Sequence, residues 1–338
     1  MNNLREPRQT EALQETIQRY FQERNKSWVT GELAGVVQAA RVKDNVRALQ
    51  VLSQPLKYKQ REVGARRSRI FRAHTQVVIQ QLEHNAEDGG IDAIVDECVT
   101  WVYQDRPDYG VESRGIRHWQ KWVYEDGHWK LAADVASDER RTADAEAAVF
   151  PTVPDGHAGG VWGDGFRAPC TTYDRVRAYR YSELWWNGFN PRFVKFVDDD
   201  CTNFISQCIL AGGFRMTGGQ NRASGWWYRF SGTSPNGNNW SYSWAMSNAL
   251  YQYLVNKGGA NVVSSARELK VGDLILYDWN GTGRFGHSVI VVDFDGRGDP
   301  LVNAHTVPSW HRHYRYLDSP AWTSRTRYAY LHLPDQLC

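Results

Sequence analysis

The chain has 338 residues, which at roughly 100–200 residues per domain points to two domains. Lysine plus arginine number 40 and aspartate plus glutamate 38, a net +2, so no global field steers the chain toward nucleic acid or an acidic membrane. Hydrophobic residues at 41% and charged residues at 23% are ordinary globular usage and exclude disorder, collagen and coiled coil; the 15 Trp are the unusual number.

The start, MNNLREPRQTEALQ, has no apolar core of a secretory signal, and no stretch approaches the roughly 18 apolar residues of a membrane span. A cytoplasmic protein with no membrane association is expected. Composition shifts near residue 150. Residues 1–150 hold 5 Trp and 8 Gly, and residues 151–338 hold 10 and 21. The expected division is 1–137, a linker over 138–167, and 168–338.

Apolar residues at Leu13, Ile17, Tyr20 and Phe21 predict a helix over 10–23, and a second is expected over 44–59. Residues 70–84, 92–104 and 115–124 read as strands, and Asp126-Gly127 as a hairpin turn into HWKLAADV. Helices followed by an antiparallel meander predict an α+β module. The segment WVYEDGHWKLAADV resembles the last hairpin of NTF2-like domains, a resemblance spanning residues 10–136. It implies either a ligand-binding cone or a packing and partner-binding module. The basic run Arg66-Arg67-Ser68-Arg69 lacks interleaved aromatics, so no nucleic-acid partner is expected.

In the second half, YDRVRAYRYSELWW predicts a helix ended by Asn187-Gly188. Phe204, Ile205, Cys208 and Ile209 mark another after Asp200, closed by Gly212-Gly213. Residues 216–240 read as a long loop and 242–256 as one helix. Residues 274–277, 288–294 and 301–304 are short apolar runs expected to form an antiparallel meander. The turn after Asp278 is expected to be Gly-rich and free of metal, and no cofactor is expected. His311, Arg312, His313 and Arg315 read as an exposed basic strand face.

The five Cys, at 98, 170, 201, 208 and 338, are odd in number and lack CxxC spacing, which argues against a disulfide scaffold or a structural zinc. Cys201 follows Asp198-Asp199-Asp200 in a predicted first helical turn, where free N–H groups and the helix dipole favour a thiolate. The acidic run opposes that. Its bland alternative is a small buried hydrophobe, which is the reading for Cys208. His287 opens an apolar strand after a Gly-rich turn and is the candidate base. Asn303 and His305 share one face of the next predicted strand, where a polar group could orient that imidazole. Cys, His and an orienting residue in this order follow the logic of papain-like catalysis.

The stretches YDRVRAYRYSELWWNGFNPRF, DDDCTNFISQCILAGGF, VGDLILYDWNG, GHSVIVVD and PLVNAHT resemble the putative amidase domain family of papain-like bacterial proteins. The resemblance covers residues 173–306. It implies a cysteine amide hydrolase with Cys201 as nucleophile, His287 as base, and Asn303 or else His305 in the third position. Asp200, Asn203 and Gln207 are candidates for the oxyanion site or for supporting roles, with Gln207 expected to be structural. Trp226, Trp227 and Tyr228 form either a substrate wall or the anchor of a loop. The expected partner is a peptide or peptide-like amide. The alternatives are acyl transfer or deamidation at the same site, or a non-catalytic peptide binder.

Overall fold

The computed structural model describes residues 7–42, 46–85, 89–104, 110–139, 170–197, 199–219, 221–230 and 239–337. Nearly all of the expected linker, together with Asp198 and Cys338, lies outside the described residues. The architecture is α+β, with helices set against antiparallel sheets. Two compact units emerge, Met1–Asp138 with Arg315–Pro320, and Glu139–Tyr314 with Ala321–Cys338. No helix among the described residues is long and apolar enough to cross a membrane.

The first unit carries helices α1 (Pro7–Thr30), α2 (Ala34–Ala40) and α3 (Val46–Ala65), then strands β1 (Ile70–His84), β2 (Ile91–Tyr103), β3 (Val111–Glu125) and β4 (His128–Ala136). Both long helices run several residues beyond their apolar signatures. The four strands pair in sequence, each antiparallel to the next. Asp126 and Gly127 both have positive φ, 52° and 78°, as a two-residue hairpin that matches strand twist requires. Alternation along β2 buries Ala93, Val95, Val99, Trp101 and Tyr103. Leu13, Ile17, Tyr20 and Phe21 of α1 complete the core with Trp122, Trp129 and Leu131.

That alternation also buries charge. Glu97 lies on the same inward face, 3.1 Å from His118 Nε2 and 3.5 Å from Arg24 Nη1. His118 Nδ1 is 2.9 Å from Asp134, whose other oxygen accepts from Tyr20 Oη at 2.9 Å. A second cluster centres on Lys59. Its ammonium donates to both oxygens of Glu112 at 2.9 Å and to Asp318 at 3.1 Å, and lies 4.2 Å above the Trp101 ring. Arg66, the first residue of the basic run at 66–69, is buried against Glu62.

The second unit holds α4 (Arg175–Trp185), α5 (Cys201–Ala211), α6 (Tyr242–Ala245) and α7 (Ser247–Asn256), with strands β5 (Asn261–Val263), β6 (Leu274–Asp278), β7 (His287–Phe294), β8 (Pro300–Ala304), β9 (Ser309–His313) and β10 (Arg327–His332). The sheet order is β9-β8-β7-β6-β10-β5, antiparallel throughout. Phe204, Ile205, Cys208 and Ile209 of α5 pack on Leu274, Leu276, Ile290, Val292, Ala329 and Leu331. α5 ends at Gly212, where a Cβ would run into the Tyr173 ring.

Several expectations change here. The helix expected over 242–256 breaks at Met246, which is extended at φ −123° and ψ 127°. Ser241 caps the first piece through the Trp244 amide. Arg312 and His313 are buried, not an exposed basic face, and Arg312 pairs with Glu139. The turn after Asp278 is closed by its own carboxylate, which accepts from the amides of Asn280 and Gly283. Cys170 is disulfide-bonded, whereas Cys98, Cys201 and Cys208 are in the reduced thiol form. The spacing of the cysteines carries no sign of that bond.

Burial alone would lower the His118 pKa, but the Asp134 and Glu97 carboxylates outweigh it and push it up to about 9. A raised imidazole stabilises the fold fully below its unfolded value near 6.5, and this contribution fades as pH rises toward 9. The loss is on the order of 3 kcal/mol at about 1.4 kcal/mol per pKa unit. Denaturant midpoints should therefore fall between about pH 6 and about pH 10 in the wild type. His118→Gln should start less stable and show a flatter pH response over that range.

Candidate active site

Three acidic residues precede α5, and the chain enters the helix through Asp200, with Phe204 N donating to Asp200 O at 2.9 Å. Cys201 is therefore the first helical residue. It belongs to the turn whose N–H groups have no intrahelical acceptor and where the helix dipole is positive. Its side chain is fully buried. The thiol donates to Asp199 Oδ1 at 3.3 Å, and Sγ lies 3.6 Å from Thr202 Oγ1 and 3.8 Å from Ser247 Oγ. Ser247 is the first residue of α7. Its hydroxyl is 2.8 Å from Thr202 Oγ1, which is 3.2 Å from Ser288 Oγ on β7. A row of buried hydroxyls thus runs from the thiol to the sheet.

Asp200 ties the helix start together. One carboxylate oxygen accepts from Phe196 N and Asn203 Nδ2, both at 2.9 Å. The other faces His305 Nδ1 at 2.6 Å. The His305 ring stacks on Phe204 with centroids 3.9 Å apart and 9° between planes. Its Nε2 faces Trp185 O at 2.8 Å, so both ring nitrogens are directed at acceptors. Asn203 is locked as well, with Nδ2 donating to Val194 O and Oδ1 accepting from Trp244 Nε1 at 2.8 Å. Gln207 accepts from Tyr181 Oη at 2.6 Å, a helix-to-helix brace.

His287 lies elsewhere on the sheet. Directly paired residues share a face, and His287 pairs with Tyr277 while Ser288 pairs with Leu276. Leu276 and Ile290 pack on α5, so Ser288 faces that helix and His287 projects from the opposite face. Its ring stacks near Trp279, with centroids 5.8 Å apart, and near Tyr277 at 5.5 Å. Burial pushes its pKa down to about 4; Glu139 opposes this and Arg312 adds to it.

Asn303 does not orient His287. It pairs with Ile290 and therefore faces the helices. Its amide donates to Glu183 Oε1 at 2.8 Å and Ser182 Oγ at 3.3 Å, and its carbonyl accepts from His311 N. The structure thus gathers Cys201, Asp200, Asn203 and His305 at one helix start and sends His287 and Asn303 to other partners.

The aromatic loop resolves into its second reading. Trp226, Trp227 and Tyr228 are 0%, 2% and 4% exposed. Trp226 Nε1 donates to Ser206 on α5, and Trp227 Nε1 is shared by the carbonyls of Ser224 and Asn221. Tyr228 Oη accepts from Val194 N. Their polar handles are committed inside the protein, so they anchor the loop and build no open wall. Sequence reasoning missed Ser247 and Thr202 as neighbours of the thiol, and Ser288 behind Thr202. Nothing in the sequence marks Ser247, because the interruption at Met246 is not written in the helical pattern.

The Asp199 carboxylate favours the protonated thiol. Asp199→Asn should therefore raise the rate of Cys201 alkylation by iodoacetamide at neutral pH roughly three- to tenfold. Peptide mapping by mass spectrometry reads the rate at each cysteine. Burial raises the thiol pKa of Cys98, with Glu97 adding to it, and that of Cys208. Both should lag behind Cys201.

Residues 172–331 match the family model described as a putative amidase domain. A Bacillus subtilis (strain 168) protein, "Uncharacterized protein YhbB", is 48% identical over 166 residues, covering 48% of this chain and 51% of that protein. The chain spans about half the length of that relative. The matched segment runs through α4, the whole Cys201 helix and strands β6 to β9, and so contains Asp199, Asp200, Cys201, Ser247, His287, Asn303 and His305. The matched segment, residues 172–331, is thus similar to the putative amidase domain and takes in most of the second unit.

Proposed function

We propose that the second unit hydrolyses amide bonds of a peptide or peptide-like substrate through a thioester on Cys201. The observation that carries this is a buried, reduced cysteine at the first position of α5, set between a carboxylate acceptor and a hydroxyl, inside the amidase-family segment. Sγ attacks the carbonyl carbon as its proton passes to a base, and the carbonyl electron pair moves onto oxygen. The first-turn amides of α5 are suited to meet that charge. Collapse of the adduct breaks the C–N bond, and the amine leaves with the transferred proton. Water then adds to the thioester, and the thiolate leaves and is reprotonated.

The base in this reading is His287. Only a neutral imidazole accepts a proton, and burial keeps this one neutral. It opens β7 next to Ser288, whose hydroxyl reaches the Cys201 helix through Thr202. Because its side chain projects from the face opposite α5, meeting the thiol requires the opening of β7 itself to rearrange and not a rotamer change alone. A second reading is favoured by one observation: His305 already stacks on the first turn of α5 and is held by Asp200. There His305 carries the proton, and it must release Trp185 O.

The test uses a panel of peptide 4-nitroanilides and the full-length chain. Cys201→Ala should lose at least roughly a thousandfold in kcat/KM, while Cys208→Ala keeps most of its activity. His287→Ala should cost about 10²- to 10⁴-fold. In the wild type the acid limb of kcat/KM should lie near about 4, well under the ordinary imidazole value of 6.5. An active, folded Cys201→Ala sinks the proposal. A larger loss in His305→Ala than in His287→Ala moves the base to His305.

A further inference from the structure

We propose that Ser247 is a positioning residue for Cys201, presenting its hydroxyl from the start of α7 so that the thiolate formed in reaction is held at a second helix N-terminus. The inference rests on Cys201 being the nucleophile and extends that reading to an element 46 residues further along the chain.

The backbone makes the first argument. Apolar and aromatic residues run on from Tyr242 to Asn256 with helical spacing, yet α6 stops at Ala245 and Met246 is extended. An unbroken helix would bury the Ser247 amide within its own ladder. The break makes Ser247 the first residue of a ten-residue helix, so its amide joins a positive helix end and its side chain reaches Cys201.

The side chains make the second. Ser247, Thr202 and Ser288 are each 0% exposed, so each hydroxyl needs a partner inside the protein. A hydroxyl donates one proton and accepts others. Aligned in one direction, Ser288 donates to Thr202, Thr202 to Ser247, and Ser247 to sulfur, the last across 3.8 Å. Each donation polarises the next. That alignment suits an anionic sulfur. Asp199 suits the opposite state, because it can only accept and therefore holds the neutral thiol. Cys201 thus sits between two partners of opposite preference, and Ser247 is the one that favours the reactive form.

The experiment measures Cys201 alkylation by iodoacetamide at neutral pH and the ultraviolet thiolate absorbance, with Cys201→Ala as the blank. A hydrogen bond to a charged group justifies an expected loss of roughly tenfold in rate for Ser247→Ala, with a lower thiolate signal. Ser247→Thr keeps the hydroxyl and should recover most of both. Tyr253→Phe, which loses only the contact with Thr217 further along α7, should match the wild type. Thr202→Val interrupts the row and should shift both readouts in the same direction; it carries the test if Ser247→Ala does not fold. Wild-type rates in Ser247→Ala, or in Thr202→Val where that variant stands in, overturn the inference while leaving Cys201 as nucleophile. A wild-type Cys201 that reacts no faster than Cys98 and Cys208 overturns the nucleophile reading, and this inference with it.

Discussion

The packing of α5 on one face of the β6–β7 sheet is the constraint from which the second unit's chemistry follows. Once Ile205, Cys208 and Ile209 are pressed onto Leu276, Ile290 and Val292, side-chain alternation decides which polar residues approach the helix start. Ser288, Asn303 and His305 fall on the helix side. His287, Tyr277 and Arg312 fall on the other. No local preference of these residues could reverse that assignment, because a one-residue slip of β7 would also expel Ile290 and Val292 from the core.

The two units handle buried charge differently. In the first, carboxylates and cations alternate on the buried face of the sheet. Glu97, His118, Asp134 and Arg24 form one set, and Lys59, Glu112, Arg114 and Asp318 another. Each ion is matched, and the aromatic rings of Trp101 and Tyr103 lie against the cations. Removing one partner strands the other in a poorly solvated place, which costs far more than the pair contributes when intact. In the second unit the interior around the helix start is mostly neutral. Serine, threonine, asparagine and indole groups satisfy one another, and the few charges converge on the acidic turn before Cys201. A thiol in such surroundings feels each nearby carboxylate strongly, since little water intervenes.

Much of this was legible in the sequence. The strands read at 70–84, 274–277, 288–294 and 301–304, each within a residue of the observed bounds, and the start of α5 followed from apolar periodicity and flanking turn residues. The Asp-Gly hairpin followed from the need for positive φ. The placement of Cys201 in a first helical turn came from the acidic run and the apolar stripe behind it. What was hidden depended on register or on distant pairing. Period-two alternation puts Asn303 and His305 on one face but cannot relate that face to His287 without knowing that Ile290 lies opposite Asn303. The break at Met246 leaves no trace in composition, because Met is a good helix former and the residues on both sides continue the pattern. The inward carboxylates Glu97 of β2 and Glu112 of β3 carry no mark of burial, since a buried charge and a solvated one are written with the same letter.

The Asp200–His305 contact joins residues 105 positions apart, and the Cys201–Ser247 contact spans 46. Closing such loops is entropically unfavourable until the sheet that rewards them exists, so both contacts belong to the late stages of folding. A nascent chain that has extended only through α5 carries the cysteine and its acidic neighbours but none of the groups that arrive from α7 and β8. The acidic turn alone favours the neutral thiol. The surroundings of Cys201 are therefore assembled in chain order: the acidic turn is present first, and Ser247 and His305 join it only when the elements after α5 have packed against the helix.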